Sequence, residues 1–168
     1  MKLFEQLNAW TDTEFCAALQ RCCGASRWVQ LMLEARPFSC DAAVFEAADR
    51  CWTQMNRSDV LEAFSHHPKI GANIESLRAK FQNTASWSAS EQASVSQASD
   101  AVLEALSQGN IDYEARFGYI FIVCATGKSA SEMLSLLQAR LGNPPDVEWH
   151  LAAAEQAKIT RIRLEKLP

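Results

Sequence analysis

The chain has 168 residues, of which 48% are hydrophobic, and its formal net charge is −4. A chain of this length buries about 70% of its unfolded surface, so it can form a full core as one domain. The scattered lysines and arginines and the negative net charge argue against a nucleic-acid binder, which usually carries a basic patch. We therefore expect a single domain over residues 1–168 and no nucleic-acid partner.

Apolar residues recur at spacings of three and four, which predicts an all-α fold of about eight helices. The first half of the chain is expected to hold helices over about residues 12–24, 26–37, 41–55 and 58–67. Ser26 and Ser58 are the expected caps of the second and fourth of these helices. Gly24 and Pro37 are expected to end the first two, because glycine closes helices and proline interrupts them.

The second half of the chain is predicted to begin with an irregular stretch over residues 72–89, with one helical piece near 74–81. A helix then begins near Ser88 and is expected to break at Gly109. The strongly apolar residues 112–124 are predicted to form the central buried helix. Two more helices are expected, from Ser129 or Ser131 to residue 142 and from about residue 146 to 167.

The six cysteines form no CxxC pair and lie in segments that are expected to be helical, which favours free, buried thiols in a reducing compartment. The vicinal pair Cys22-Cys23 fits either small core residues or a redox switch. No signal-peptide pattern begins the chain, and no stretch approaches the ~20 apolar residues of a membrane span. These features predict a cytoplasmic protein with no membrane partner.

His67 is the leading candidate for an acid or base. Pro68 disfavours helical conformation in the residue before it, so His67 is expected at the end of a helix. An imidazole titrates near neutral pH and can exchange a proton with a substrate. A histidine at a helix end also commonly complements the helix dipole, which is the alternative interpretation. The pair His66-His67 lacks the spacing of a metal site, so no metal is expected.

Two polar residues near the start of the helix after Ser88 are further candidates. Ser88 and Glu91 match a capping box, in which the hydroxyl and the carboxylate each bond a backbone amide. Glu91 is therefore either a helix cap or a carboxylate that orients the imidazole or the substrate. Gln92 lies outside the motif, and its amide can both donate to and accept from a ureido or carbonyl group.

The last helix carries Arg161 and Arg163, which fit a solvated basic face. Arg163 also fits a second interpretation, in which its guanidinium turns inward to bind a substrate carboxylate in bidentate fashion. His150 is expected to be exposed on the same helix. Cys124 and Ala125, at the end of the predicted central helix, are expected to present small side chains to a pocket.

Together these segments resemble the OHCU decarboxylase family, whose members convert 2-oxo-4-hydroxy-4-carboxy-5-ureidoimidazoline (OHCU) to (S)-allantoin in urate breakdown. The resemblance covers nearly the whole chain and rests on the order and spacing of short motifs. These motifs are Cys22–Trp28, Arg36–Phe38, Leu61–Phe64, His67–Gly71, Ser88 with Glu91-Gln92, Tyr113–Gly118, Phe121–Gly127, and Ile159 with Arg163-Leu164.

The resemblance implies an all-α, mostly antiparallel helical domain that forms homodimers and uses no metal or organic cofactor. It implies that His67 is the catalytic histidine. As a hypothesis of mechanism, His67 delivers a proton to C4 of the substrate, while Glu91 accepts a hydrogen bond from the C4 hydroxyl. In the same hypothesis, Gln92 binds the ureido group or the ring amide, and Arg163 together with helix-end groups holds the anion. The implied substrate-binding residues are Pro68, Ser88, Glu91, Gln92, Phe121, Ile122, Val123, Cys124, Ala125 and Arg163.

A function of another class also fits the residues. The chain is then a helical adaptor whose exposed docking patch consists of Trp10, Trp28 and Phe38. The two hypotheses differ in what should lie near His67. An enzyme needs a closed pocket of small-ligand size there, whereas an adaptor needs a groove or a flat face.

Overall fold

The computed structural model describes residues 1–69 and 89–168, with side chains described for 1–69 and 100–168. Within these ranges the chain forms helices and no strands, which confirms the all-α prediction. The predictions for residues 72–88 lie outside the described residues. The helices are α1 (Leu3–Ala9), α2 (Asp12–Cys22), α3 (Ser26–Glu34), α4 (Asp41–Trp52), α5 (Arg57–Ser65), α6 (Ala89–Phe117), α7 (Ala130–Leu141) and α8 (Pro145–Glu165).

The chain divides into two compact units. The first contains Met1–His67, Ile122–Cys124 and Leu151–Pro168, and the second contains Pro68–Phe121 and Ala125–His150. The core of the first unit is formed by the apolar faces of α1 to α5 and the end of α8. Its fully buried members include Phe15, Leu19, Trp28, Met32 and Leu164.

Side-chain caps start several helices. Thr11 with Glu14 and Asn56 with Asp59 form capping boxes at α2 and α5. The predicted cap at Ser58 is therefore wrong, because Asn56 begins the helix two residues earlier. The predicted cap at Ser26 is also wrong, since Ser26 is already helical and its backbone N–H donates to Glu62 Oε1 at 2.5 Å.

The second unit contains α6 and α7, which pack against each other. Gly109 does not break α6, so that prediction is wrong. A Cβ on Gly109 would lie 2.7 Å from Leu137 Cδ2 on α7. The glycine therefore permits a close approach of the two helices, and their packing outweighs its low helix propensity.

The predicted central helix over residues 112–124 is wrong in its second half. α6 ends at Phe117, and Gly118 has a φ of +82°, a left-handed conformation that favours glycine. The next residues have no regular secondary structure, yet most of them are buried. Apolar pattern alone does not separate a short buried helix from a buried non-helical segment. The buried residues are Tyr119, Phe121, Ile122, Val123 and Cys124.

Two smaller results concern the ends of the chain. The short helix α1 was not expected from the sequence, and Leu7 anchors it with a fully buried side chain. The last helix was expected from about residue 146 and begins at Pro145. Among the described helices, none combines the length and the apolar character that crossing a bilayer requires.

Candidate active site

His67 lies just beyond the end of α5, as the sequence predicts. His66 caps the helix, and the backbone N–H of His67 donates to the carbonyl of Phe64 at 3.2 Å. The end of α5 is fixed by close packing, because a Cβ placed on Gly24 would lie only 2.4 Å from Cγ of His66. This packing places the half-buried imidazole of His67 at the surface of the first unit's core.

The imidazole is hydrogen bonded to α8. Nε2 of His67 lies 2.5 Å from Oε1 of Gln156, whose side chain is fully buried. The amide nitrogen of Gln156 lies 3.1 Å from Oγ1 of Thr160, and the Thr160 hydroxyl donates to the main-chain carbonyl of Gln156 at 3.0 Å. The hydrogen bond therefore directs Nε2 of His67 toward the buried face of α8 and away from the carbonyl groups at the end of α5.

The environment of His67 favours the neutral ring. Burial lowers the pKa of His67 below its usual value, and the positive charge of Arg163 and the neighbouring His66 lower it further. The hydrogen bond to Gln156 opposes these effects without reversing them. Because an ordinary histidine already titrates below pH 7, the ring of His67 is mostly neutral at that pH.

Arg163 is close enough to the imidazole to influence its charge, and the two arginines of the last helix differ. Nη1 of Arg163 donates to the main-chain carbonyl of Arg21 at 3.3 Å, at the end of α2. Arg161 is exposed, lies over the ring of Phe45 at 4.3 Å, and pairs with Glu165 at 3.4 Å. Arg161 thus belongs to the solvated face, whereas the half-buried Arg163 turns toward α2.

The vicinal cysteines are core residues near this site. Burial raises the pKa of both the Cys22 and the Cys23 thiol to about 11. Both thiols therefore stay protonated at neutral pH, which is typical of packing residues and not of reactive cysteines. All six cysteines are free thiols.

The apolar pocket candidates fall in both units. Ile122, Val123 and Cys124 are buried in the unit that contains His67, whereas Phe121 and Ala125 belong to the second unit. The ring of Phe121 packs on Tyr113 with 5.2 Å between centroids. Cys124 and Ala125 do not end a helix as predicted, because the segment is not helical.

The remaining candidates are only partly described. Pro68 is exposed and follows His67 directly. Glu91 and Gln92 lie on α6, but their side chains are outside the described residues, as is the whole of Ser88. The structure therefore brings His67 and Arg163 into one unit and leaves the positions of the Ser88, Glu91 and Gln92 side chains as predictions.

Gln156 and Thr160 were not among the residues singled out from the sequence. They lie four residues apart on α8, and Arg163 follows three residues later, so all three share one face of the helix. The sequence signal that could have found them is the presence of two polar residues, Gln156 and Thr160, on a helical face that is otherwise buried. It became interpretable only when the fold placed His67 opposite them.

The docking patch of the adaptor hypothesis is not formed. Trp28 is 0% exposed and Phe38 is 5% exposed, and Trp10 is half-buried. Nε1 of Trp28 donates to the carbonyl of Ala48 at 3.0 Å, as expected of a core tryptophan. In the part of the chain with described side chains, no three His, Cys, Asp or Glu residues are grouped to hold a metal ion.

Comparison with solved structures places this fold among known helical decarboxylases. A structure described as OHCU decarboxylase in the presence of (S)-allantoin superposes with a TM-score of 0.71 and is 36% identical in sequence. The match covers 94% of this chain and 97% of that one. A family model described as OHCU decarboxylase matches residues 8–165. The chain belongs to the OHCU decarboxylase family.

Two relatives show how the similarity is distributed. The "Uric acid degradation bifunctional protein TTL" of Arabidopsis thaliana is 40% identical over 148 residues, which is 87% of this chain and 45% of the relative. The chain thus spans less than half of that protein. A "2-oxo-4-hydroxy-4-carboxy-5-ureidoimidazoline decarboxylase" of Haloferax volcanii is 25% identical over 95% of this chain and 92% of its own length.

Proposed function

We propose that this chain decarboxylates OHCU to (S)-allantoin, a step of urate degradation. The observation that carries the proposal is the half-buried His67, which is bonded through one ring nitrogen to Gln156 and lies near the charge of Arg163. This pair offers a proton carrier and an anion-binding group within one unit of a chain that belongs to the decarboxylase family.

Loss of carbon dioxide from a carboxylate leaves an electron pair on C4, and that carbon must then receive a proton. Arg163 binds the anionic substrate through charge-assisted hydrogen bonds. The negative charge of the bound substrate offsets the repulsion between Arg163 and a protonated His67, so the imidazole takes up a proton in the complex. His67 then passes this proton to C4, and the reaction consumes one proton for each carbon dioxide released.

Transfer from a fixed imidazole determines the stereochemistry of the product. A proton delivered from one side gives a single enantiomer, whereas protonation by water gives both. In this proposal Glu91 accepts a hydrogen bond from the C4 hydroxyl, and Gln92 bonds the ureido group. The remaining pocket residues are Pro68, Ser88, Phe121, Ile122, Val123, Cys124 and Ala125.

The test generates OHCU in situ from urate with urate oxidase and hydroxyisourate hydrolase, and follows allantoin by circular dichroism. We expect rapid appearance of a single (S)-allantoin signal when the protein is added. Slow formation of racemic allantoin at the rate seen without the protein would contradict the proposed function. The folded state of the sample is checked by its helical far-UV spectrum.

We also infer that the chain works as a homodimer in a reducing cytoplasm and without a metal or organic cofactor. Support for the compartment comes from the six free cysteines. Support for the dimer and for cofactor independence comes from membership in the family. Light scattering should give the mass of a dimer, and activity should survive dialysis against a chelator. A monomer mass, or activity restored only by added metal, would contradict these inferences.

A further inference from the structure

We propose that Gln156 is a positioning residue that fixes the tautomer of His67, so that Nε2 carries the resting proton and Nδ1 exchanges a proton with the substrate. The statement about Nδ1 and the substrate rests on the proposed function. The statement about the tautomer rests only on hydrogen bonds within the first unit and can be tested separately.

The orientation of the Gln156 amide follows from the hydroxyl of Thr160. A hydroxyl has one proton, and Thr160 donates it to the main-chain carbonyl of Gln156 at 3.0 Å. Oγ1 of Thr160 is then an acceptor for its other neighbours. The side-chain atom of Gln156 that lies 3.1 Å from it must be the amide nitrogen, because two oxygens without a shared proton would repel each other.

The tautomer of His67 follows from the orientation of the amide. With its nitrogen facing Thr160, the amide presents its oxygen to Nε2 of His67 at 2.5 Å. An amide oxygen only accepts, so Nε2 must carry a hydrogen. A neutral imidazole has a single N–H, and Nδ1 therefore holds the lone pair. Among the residues with described side chains, Nδ1 makes no hydrogen bond, so it remains for the substrate.

This arrangement assigns each proton in the reaction. Substrate binding protonates Nδ1, and the Nδ1–H bond then breaks as the C4–H bond forms. The ring returns to the neutral Nε2–H form in which it began. Gln156 keeps the same hydrogen bond throughout, so the ring does not have to turn between the charged and neutral states.

A neutral amide suits this role better than a carboxylate would. A carboxylate beside Nε2 would stabilise the imidazolium and make it a weaker acid, as happens whenever an opposite charge lies beside a titrating group. Among the described residues, the side chains that act electrostatically on His67 are Arg163 on α8 and His66 at the end of α5, and both lower its pKa. Gln156 orients the ring, and its hydrogen bond does not reverse this effect.

The tautomer can be measured directly by two-bond proton–nitrogen correlation in ¹⁵N-labelled protein. The chain has only three histidines, so the variants His66→Gln and His150→Gln assign the spectrum. We expect the neutral ring of His67 to be protonated at Nε2. A ring protonated at Nδ1 in the wild-type protein would overturn the proposal, whatever the activity of the protein.

Variants of Gln156 test whether this residue fixes the tautomer of His67. Gln156→Leu should mix the two tautomers and lower kcat by about 10- to 100-fold with a smaller change in KM, by analogy with the loss of a partner that orients a metal-ligating histidine. Gln156→Glu should raise the pKa of His67. The matched control is Gln138→Leu, at an exposed glutamine on α7, which should change neither property.

Thr160 provides a second test in case Gln156→Leu fails to fold. Thr160→Val keeps the shape of the side chain but removes the acceptor that orients the amide, and Thr160→Ser restores the hydroxyl. We expect mixed tautomers and reduced kcat in the valine variant and recovery of both in the serine variant. Unchanged tautomer and kcat in folded Thr160→Val would overturn the proposal. If the protein makes no (S)-allantoin but His67 is protonated at Nε2, the substrate role of Nδ1 fails while the tautomer assignment stands.

Discussion

The two units each contain a buried polar network, and the networks differ in what they leave unsatisfied. In the second unit, Glu148 accepts from the Tyr113 hydroxyl at 2.5 Å, from Nε of Arg140 at 2.6 Å and from Nδ2 of Asn143 at 3.0 Å. In the first unit, Gln156 bonds His67 through one ring nitrogen. The other ring nitrogen has no partner among the described side chains.

The difference agrees with a structural role for the network around Glu148 and with the catalytic role proposed for His67. Glu148 and Tyr113 are fully buried, and burial together with the bond to Glu148 raises the pKa of Tyr113 far above its usual value. The hydroxyl of Tyr113 therefore stays protonated and hydrogen bonded to Glu148 inside the fold. His67 is half-buried, and burial together with the nearby Arg163 and His66 lowers its pKa. A buried polar group is thus a candidate for catalysis when one of its atoms still faces a ligand.

The largest expected effect is the loss of activity when His67 is replaced. If activity were kept, the His67 network would not differ in function from the Glu148 network. His67→Ala should lower kcat/KM by about 10²- to 10⁴-fold, the usual contribution of a general acid or base. The free energy of unfolding of this variant should change little. His150→Ala, at an exposed histidine of α8, is the control and should keep full activity. Wild-type kcat/KM in folded His67→Ala would remove the imidazole from the mechanism.

Replacing Glu148 in the second unit should lower stability and leave activity almost unchanged, which is the opposite of the result expected for His67. Glu148→Ala removes the carboxylate that pairs with the buried Arg140, so it should lower the free energy of unfolding by about 3–5 kcal/mol. The activity of the fraction that remains folded should stay close to that of the wild type. Glu165→Ala, which removes an exposed pair with Arg161, should cost less than about 1 kcal/mol. Urea unfolding measures both variants, and equal losses in the two would refute the structural role of Glu148.

Arg163 offers a sharper test of the charge near His67. Arg163→Gln removes a positive charge that disfavours the imidazolium, so the pKa of His67 should rise. Substrate binding should weaken by about 1.5–3 kcal/mol, the usual contribution of a hydrogen bond to a charged group. Arg161→Gln changes the same residue type two positions away and should leave both quantities unaltered. A fall in the pKa of His67 in Arg163→Gln would contradict the account of its charge.

The smallest effect concerns the packing that holds the end of α5. Gly24→Ala places a Cβ against the His66 ring and should cost about 1–3 kcal/mol by overpacking. The displaced His66 should also lower kcat by shifting His67. Combining Gly24→Ala with His66→Gly removes the Cγ, Cβ and Cδ2 atoms that the new Cβ would meet and should recover most of the stability, as thermal unfolding would show. Full additivity of the two changes would mean that the residues do not interact.

Much of the helical pattern could be predicted from the sequence, because apolar spacing and proline positions are local signals. The helices that correspond to α2, α3, α4, α7 and α8 were expected close to their observed positions. The errors at Gly109 and after Phe117 have tertiary causes. From neighbouring residues alone, a glycine that packs against Leu137 is predicted to break a helix. In the same way, a buried non-helical segment is predicted to be a buried helix.

The candidate site was predicted in part. His67 could be found from its position before Pro68, and the short motifs of the family drew attention to Arg163. Gln156 could not be found in this way, because a glutamine within a helix has no local feature that marks it as a partner. Its role depends on a hydrogen bond between residues that are 89 positions apart in the sequence.

The measurement that most directly tests the central claim is the enantiomeric composition of allantoin formed from OHCU generated in situ. The wild-type protein and His150→Ala should both give almost pure (S)-allantoin. His67→Ala should give a racemic product, because water then supplies the proton to C4. Pure (S)-allantoin formed at the wild-type rate by folded His67→Ala would contradict the claim that His67 delivers this proton.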